Sequence, residues 1–323
     1  MGPFEFVYWL GYRLDRYMGR KKAKSLPVSV ISIGNLTLGG TGKTPLAISL
    51  SLKARERGIN SCVLTRGYKG NLKGPVLVRP EMSAKDVGDE ALLIAKKGIA
   101  VVKCPDRYEA GLYALRNLHP APDLFIMDDG YQHWRLKRDL DILLLNGVKP
   151  FGKGKMLPVG DLREPIKEIK RAGIIVLTKC ERITDALQKE IREHNPNAPL
   201  YSAPYEPLHI ADANGKTYPL EWLRGKEVMA FCGIGEPSSF KETLTRAGAV
   251  VKGFRAFGDH HRYTPADTLA LARKAKKLNV LWILTTEKDI MRLAGGPFHA
   301  LAAGLKPPEA FYDEVFGKIA EAR

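Results

Sequence analysis

The stretch that most constrains this chain of 323 residues runs from Val28 to Ser49. It opens with a β-branched run, Val28 to Ile33, that predicts a buried strand. A turn with Gly39, Gly40 and Gly42 follows, then Lys43, Thr44 and an apolar pattern of helical period. Strand, glycine turn, Gly-Lys-Thr and helix in that order is the context of a phosphate-binding P-loop. Glycines let backbone N–H groups of 39–44 close on phosphate oxygens, and the helix start adds partial positive charge. Lys43 then reaches the β/γ-phosphates, and the Thr44 hydroxyl is a ligand for Mg²⁺. One position departs from the motif: Thr37 stands where its first glycine belongs. Gly39, Gly40, Thr41, Gly42, Lys43 and Thr44 are the expected nucleotide contacts.

A second signal lies about 85 residues further on. Leu124-Phe125-Ile126-Met127 is an apolar strand ending in Asp128-Asp129. One aspartate at such a strand end holds Mg²⁺, directly or through water. Gly130-Tyr131-Gln132-His133 continues it with polar groups at the strand's C-terminal edge, where open α/β sheets bind ligands. Strands alternate with helices to about residue 196, which predicts a doubly wound, mostly parallel sheet. Residues 199–222 read as a two-stranded linker, with Ala213-Asn214-Gly215 as its turn. A second, smaller α/β unit follows over 223–323, with strands Val228–Phe231, Val250–Phe254 and Val280–Thr285 and a closing helix from Pro308 to about Glu321.

Other residues carry two readings each. Asp89, in Gly88-Asp89-Glu90, suits a helix start, the commoner use of an acid there, with a base facing the nucleotide as the functional alternative. Arg107 opens a helix after Asp106, as a phosphate contact or a surface ion pair. Arg66-Gly67-Tyr68 is an anion grip or a solvated turn. Asp259-His260-His261 places an imidazole beside a carboxylate, which tunes its charge and tautomer. Thr178-Lys179-Cys180-Glu181 resembles the base-reading element of GTPases, with Glu181 one methylene longer than the aspartate that pairs with guanine.

The net charge of +16 favours anionic partners: nucleic acid, an anionic membrane face or phosphorylated substrates. Residues 1–26 put Phe4, Val7, Tyr8, Gly11, Leu14, Tyr17 and Met18 at helical spacing, ahead of Arg20, Lys21, Lys22 and Lys24. That pattern fits a membrane-interface helix, or a helix docked on the chain's own core with a basic end. No secretory leader is expected, because no basic residues precede the apolar part. Four cysteines without a CxxC pair point to a reducing cytosol and no structural zinc.

Together these motifs resemble the tetraacyldisaccharide 4′-kinase family of lipid A biosynthesis. Beyond those above, Gly34-Asn35-Leu36-Thr37, Leu157-Pro158, Leu162-Arg163-Glu164-Pro165, Gly233-Ile234-Gly235 and Thr286-Glu287-Lys288-Asp289 carry the resemblance, in the family's order across nearly the whole chain. The family's proline after Gly-Asp-Glu is Ala91 here. The resemblance implies a P-loop core and a smaller C-terminal α/β domain joined by a β-ribbon, with the active site between them. It implies transfer of the ATP γ-phosphate to the 4′-hydroxyl of a lipid disaccharide 1-phosphate. It makes Asp89 the general base, His260 its partner, and Lys43, Asp128 and Asp129 further catalytic groups. Thr44 with Asp128 or Asp129 would hold Mg²⁺. Arg66, Arg107, Gln132, His133 and Glu164 would line the substrate site. A monomer is implied, peripheral to the cytoplasmic face of the inner membrane through its N-terminal helix, with no nucleic-acid partner. The alternative is a P-loop GTPase or ATPase switch, or a metallochaperone.

Overall fold

The computed structural model describes residues 2–212, 215–293 and 295–321. A first sheet holds eight strands: β1 (Ser29–Asn35), β2 (Ser61–Thr65), β3 (Val76–Leu77), β4 (Ala100–Lys103), β5 (Leu124–Asp128), β6 (Leu140–Asn146), β7 (Ile174–Thr178) and β8 (Leu200–Ala203). Their spatial order is β3-β4-β2-β5-β1-β6-β7-β8. Every recorded pairing is parallel except β3 with β4. All of β1 is buried, as a parallel strand covered on both faces must be.

The helices are α1 (Pro3–Lys21), α2 (Lys43–Glu56), α3 (Ala84–Val87), α4 (Asp89–Lys96), α5 (Arg107–Asn117), α6 (Asp185–Arg192), α7 (Pro237–Arg246), α8 (Pro265–Lys277), α9 (Glu287–Ile290) and α10 (Glu309–Glu321). Alternation of side chains along β1 divides them between two faces. Ile31 and Ile33 pack with Leu46, Ala47 and Leu50 of α2, while Val30 packs with Ala110 and Ala114 of α5.

The second sheet has six strands: β9 (Tyr205–Asp212), β10 (Thr217–Tyr218), β11 (Glu227–Cys232), β12 (Val250–Ala256), β13 (Trp282–Thr286) and β14 (Phe298–Leu305), ordered β10-β9-β14-β13-β11-β12. The stretch 199–222 differs from the expected linker. β8 closes the first sheet, and the β9–β10 hairpin belongs to the second. Within that hairpin's turn, Ala213 and Asn214 lie outside the described residues.

A boundary that assigns all of 223–323 to the second unit is also corrected. Phe311, Tyr312, Val315 and Ile319 of α10 are buried with Leu46 and Leu50 in the core of the first sheet. Leu305, at the end of β14, joins the same core. β14 has no strand signature in its sequence, because Ala-Leu-Ala-Ala-Gly carries little of the β-branched signal that marks a strand.

Helix α1 is docked on the chain's own core along one face. Tyr8, Trp9 and Tyr12 pack on the core beside β6 and β7. Gly19 lies under Trp134, where a Cβ would come within 2.6 Å of that side chain. The other face stays free: Phe4 is 72% and Val7 68% exposed, and Leu14, Tyr17 and Met18 join them. Among the described residues, no helix is long and apolar enough to cross a membrane.

The return of α10 generates a stability prediction. Phe311 is fully buried, its ring edge-on to Tyr201 at 5.7 Å. Phe311→Ala is expected to cost about 3–5 kcal/mol in urea unfolding, the usual range for a buried aromatic. A loss under about 1 kcal/mol would show that α10 is not part of this core.

Candidate active site

Strand β1 delivers Asn35 to the mouth of the glycine turn. Gly42 then takes φ +86°, and a Cβ there would also come within 2.8 Å of Leu305. The backbone angle favours glycine, and a side chain there would also push the Leu305 methyl aside. Lys43, the first residue of α2, bonds Asn35 Oδ1 at 3.0 Å and lies 3.6 Å from Asp129. The Thr41 hydroxyl is buried and finds no partner among the described residues.

The two aspartates after β5 have separate surroundings. Asp128 accepts from the Thr44 hydroxyl at 2.9 Å, while its Oδ1 is buried without a partner among the described residues. Burial, then the charges of Glu90 and Asp129, push its carboxyl up to about 7. A buried, unpaired carboxylate oxygen beside a threonine hydroxyl fits a divalent cation. Asp129 turns away in the left-handed region, at φ 53°, and is gripped by Arg163 at 2.7 and 3.3 Å. Burial opposes its ionisation, but Lys43 and Arg163 outweigh that and hold its carboxyl below the usual range.

Asp89 lies at the start of α4, directly after Gly88. Gly88 has φ +90° and passes so near the Tyr68 carbonyl that a Cβ would stand 2.7 Å from it. His260, on the loop after β12, brings Nδ1 within 3.2 Å of Asp89 Oδ2, with Tyr68 edge-on to its ring. The same oxygen receives Arg292 Nε at 3.1 Å and a closer contact from Nη2. Burial alone would raise the Asp89 carboxyl. The His260 hydrogen bond and the charges of Lys288 and Arg292 outweigh it and hold the carboxyl well below the ordinary range. The Thr286-Glu287-Lys288-Asp289 segment supplies this setting: Lys288 pairs with Glu90 at 2.8 Å, Glu287 with Lys97, and Asp289 with Arg292 at 3.0 Å.

A cleft of about 370 Å³ opens beside Asp129 and Arg163, with Arg66, Arg107 and His133 in its wall. Arg107 is nearly buried and donates to the Pro105 carbonyl at 2.9 Å, which sets aside its reading as a surface ion pair. His133 Nε2 has no partner among the described residues; burial, then Arg107, lowers its imidazole to about 4.

Glu164 is corrected from a wall residue to a brace. It is fully buried, clamped by Arg171 at 2.7 and 2.9 Å, and accepts from Tyr12 of α1 at 3.3 Å. Gln132 bonds Glu164 and the Asn35 carbonyl, so it links that brace to the P-loop mouth. Asn35, Arg163 and Arg292 were missed as site residues. Asn35 and Arg163 stood inside quoted motifs, whereas Arg292 carried no signal beyond its place one turn after Asp289. Lys179 of the GTPase-like element pairs instead with Glu236 of the second unit.

Residues 1–314 match the family described as tetraacyldisaccharide-1-P 4′-kinase. The chain belongs to this family. A tetraacyldisaccharide 4′-kinase of Pelobacter propionicus is 38% identical over 304 residues, covering 91% of this chain and 82% of that protein. The Aquifex aeolicus relative of the same name is 37% identical over 305 residues, covering 91% and 89%. A crystal structure of the "apo" form of LpxK from Aquifex aeolicus in complex with ATP superposes with a TM-score of 0.78 at 33% identity, covering 98% of each chain. In this kinase-family member the switch and metallochaperone readings fall away.

His133 makes the stability of the chain depend on pH. Its imidazole is lowered from 6.5 to about 4 in the folded state. Between those values the unfolded chain binds a proton that the folded chain does not, so stability falls as pH drops from 6.5 towards 4. The loss is at most about 3 kcal/mol. Urea midpoints measured from pH 7 to 4 are expected to decline less steeply in His133→Gln than in the parent chain. Parallel declines would place the proton uptake elsewhere.

Proposed function

We propose that this chain transfers the γ-phosphate of ATP to the 4′-hydroxyl of a tetraacyldisaccharide 1-phosphate. The observation that carries this reading is the meeting of Asp89 with His260 beside a P-loop, in a family whose named members are 4′-kinases. The Asp89 carboxylate accepts the proton of the sugar hydroxyl as its oxygen bonds the γ-phosphorus. The bond from that phosphorus to the β,γ-bridging oxygen breaks, and ADP leaves. Held low, Asp89 is always ionised at neutral pH but is a weak base. That suits a loose transition state, in which positioning and cations matter more than proton abstraction. His260 orients the carboxylate and shares the arriving proton. Lys43 offsets charge on the β/γ-phosphates. Thr44 and Asp128 would hold Mg²⁺, which supplies charge neutralisation when bound. Asp129 aligns Lys43 and Arg163.

The second part of the proposal is location. The exposed face of α1, followed by Arg20, Lys21, Lys22 and Lys24, suits the cytoplasmic surface of an anionic inner membrane. The opposite face of α1 stays docked on the enzyme, so the bilayer and the cleft, whose wall includes Asp15 and Gly19 of α1, adjoin.

The test is transfer of ³²P from γ-labelled ATP to the disaccharide lipid in mixed micelles with Mg²⁺. The lipid is expected to be labelled by the parent chain and not by Lys43→Ala. Asp89→Ala is expected to lower kcat about 10²–10⁴-fold, the usual contribution of a positioned base, with the KM for ATP little changed. ATP hydrolysis without labelled lipid would overturn the acceptor. For the membrane, Phe4, Val7 and Leu14 changed together to Ser are expected to release the folded chain from anionic vesicles. Unchanged sedimentation would place the docking surface elsewhere.

A further inference from the structure

We propose that Arg292 is a positioning residue for the transfer, fixing the Asp89 carboxylate so that one defined oxygen faces the acceptor hydroxyl. The proposal rests on the kinase reading above.

One carboxylate oxygen of Asp89 takes every contact from the second unit. Arg292 Nε, Arg292 Nη2 and His260 Nδ1 all converge on Asp89 Oδ2. Among the described residues none of these bonds goes to Oδ1, which is the oxygen left to meet a substrate. A carboxylate held on one oxygen by two N–H groups of a planar guanidinium cannot rotate about its Cβ–Cγ bond without breaking both contacts. The guanidinium is itself fixed from behind. Nη1 reaches Asp289 Oδ1 at 3.0 Å and the Gly233 carbonyl at 3.2 Å.

Asp289 in turn is immobilised. It accepts from the Gly233 N–H at 3.1 Å, from Tyr263 at 2.9 Å and from the Thr286 hydroxyl at 2.6 Å. It is fully buried, and the Arg292 side chain is only 8% exposed. A chain of contacts therefore runs from the start of α9 through Asp289 and Arg292 to the base, which sits on α4 of the first sheet. A surface ion pair would have none of this anchoring.

The groups facing Asp89 are His260 from the loop after β12, Lys288 from α9 and Arg292 from the turn beyond it. On its own helix the neighbour is Glu90, which Lys288 neutralises. Losing the guanidinium therefore removes both the fork and one of two permanent cations.

Arg292→Gln and Arg292→Lys in the full chain test this, with the micelle assay run across pH and vesicle-free ATP binding as a check of the fold. Arg292→Gln is expected to lower kcat about 10²-fold, the penalty typical of a small misplacement of a reacting group, with the KM for ATP within about threefold of the parent. Its acid limb of kcat is expected to move to higher pH, because the base loses a cation that keeps it ionised. Arg292→Lys is expected to return the acid limb towards the parent value while recovering only part of kcat, since an ammonium lacks the fork. Parent-like kcat in either variant would overturn the proposal. So would an equal loss at every pH in Arg292→Gln, which marks a mere brace. If Arg292→Gln fails to bind ATP, Arg292→Lys decides alone: reduced kcat at parent KM supports the proposal, and parent kcat overturns it. Absence of lipid labelling by the parent chain would overturn the kinase reading itself, and this proposal with it.

Discussion

Asp89 buries a carboxylate where the two sheets meet. A buried charge is tolerated only when its hydrogen bonds and counter-charges are supplied. Here the first sheet supplies the carboxylate at the start of α4, and the second supplies His260, Lys288 and Arg292. Glu90 with Lys288 and Lys97 with Glu287 repeat the arrangement beside it. Separating the sheets would strand several charges at once, so the contacts around the proposed base also help to hold the units together. The return of α10 into the first core ties the chain's end to the P-loop layer as well.

Two buried aspartates thus face opposite electrostatics. Asp89 meets cations and is kept charged. Asp128 meets Glu90 and Asp129, and one of its oxygens has no partner among the described residues, a setting that a divalent cation would relieve. Residues of one type acquire different tasks from their surroundings, not from their position in a motif. The third, Asp129, is turned by its left-handed backbone toward Lys43 and Arg163.

Sequence reasoning reached furthest where function is written in local pattern. The P-loop was legible because glycine spacing, a β-branched strand and Gly-Lys-Thr lie within one stretch, and the β5 strand end because an apolar run stops at two acids. The family resemblance then tied Asp89 to His260, 171 residues apart. What stayed hidden has physical reasons. Arg292 meets Asp89 across 203 residues, and no spacing rule connects a turn after one helix to the start of another. β14 is alanine-rich, so its strand character comes from its neighbours rather than its own residues. Glu164 sat in a conspicuous motif, but its partners Arg171 and Tyr12 make it a buried brace. For α1, periodicity showed one broad stripe where the fold uses two faces, one packed and one free.

Whether the second unit keeps Asp89 ionised can be read from the ¹³C carboxyl resonance of Asp89 in aspartate-labelled protein, assigned by its absence in Asp89→Asn. The resonance is expected to keep its ionised shift as pH is lowered through the ordinary carboxylate midpoint near 4. Half-protonation at or above that midpoint would contradict it, and would mean that His260, Lys288 and Arg292 do not hold the carboxylate as described.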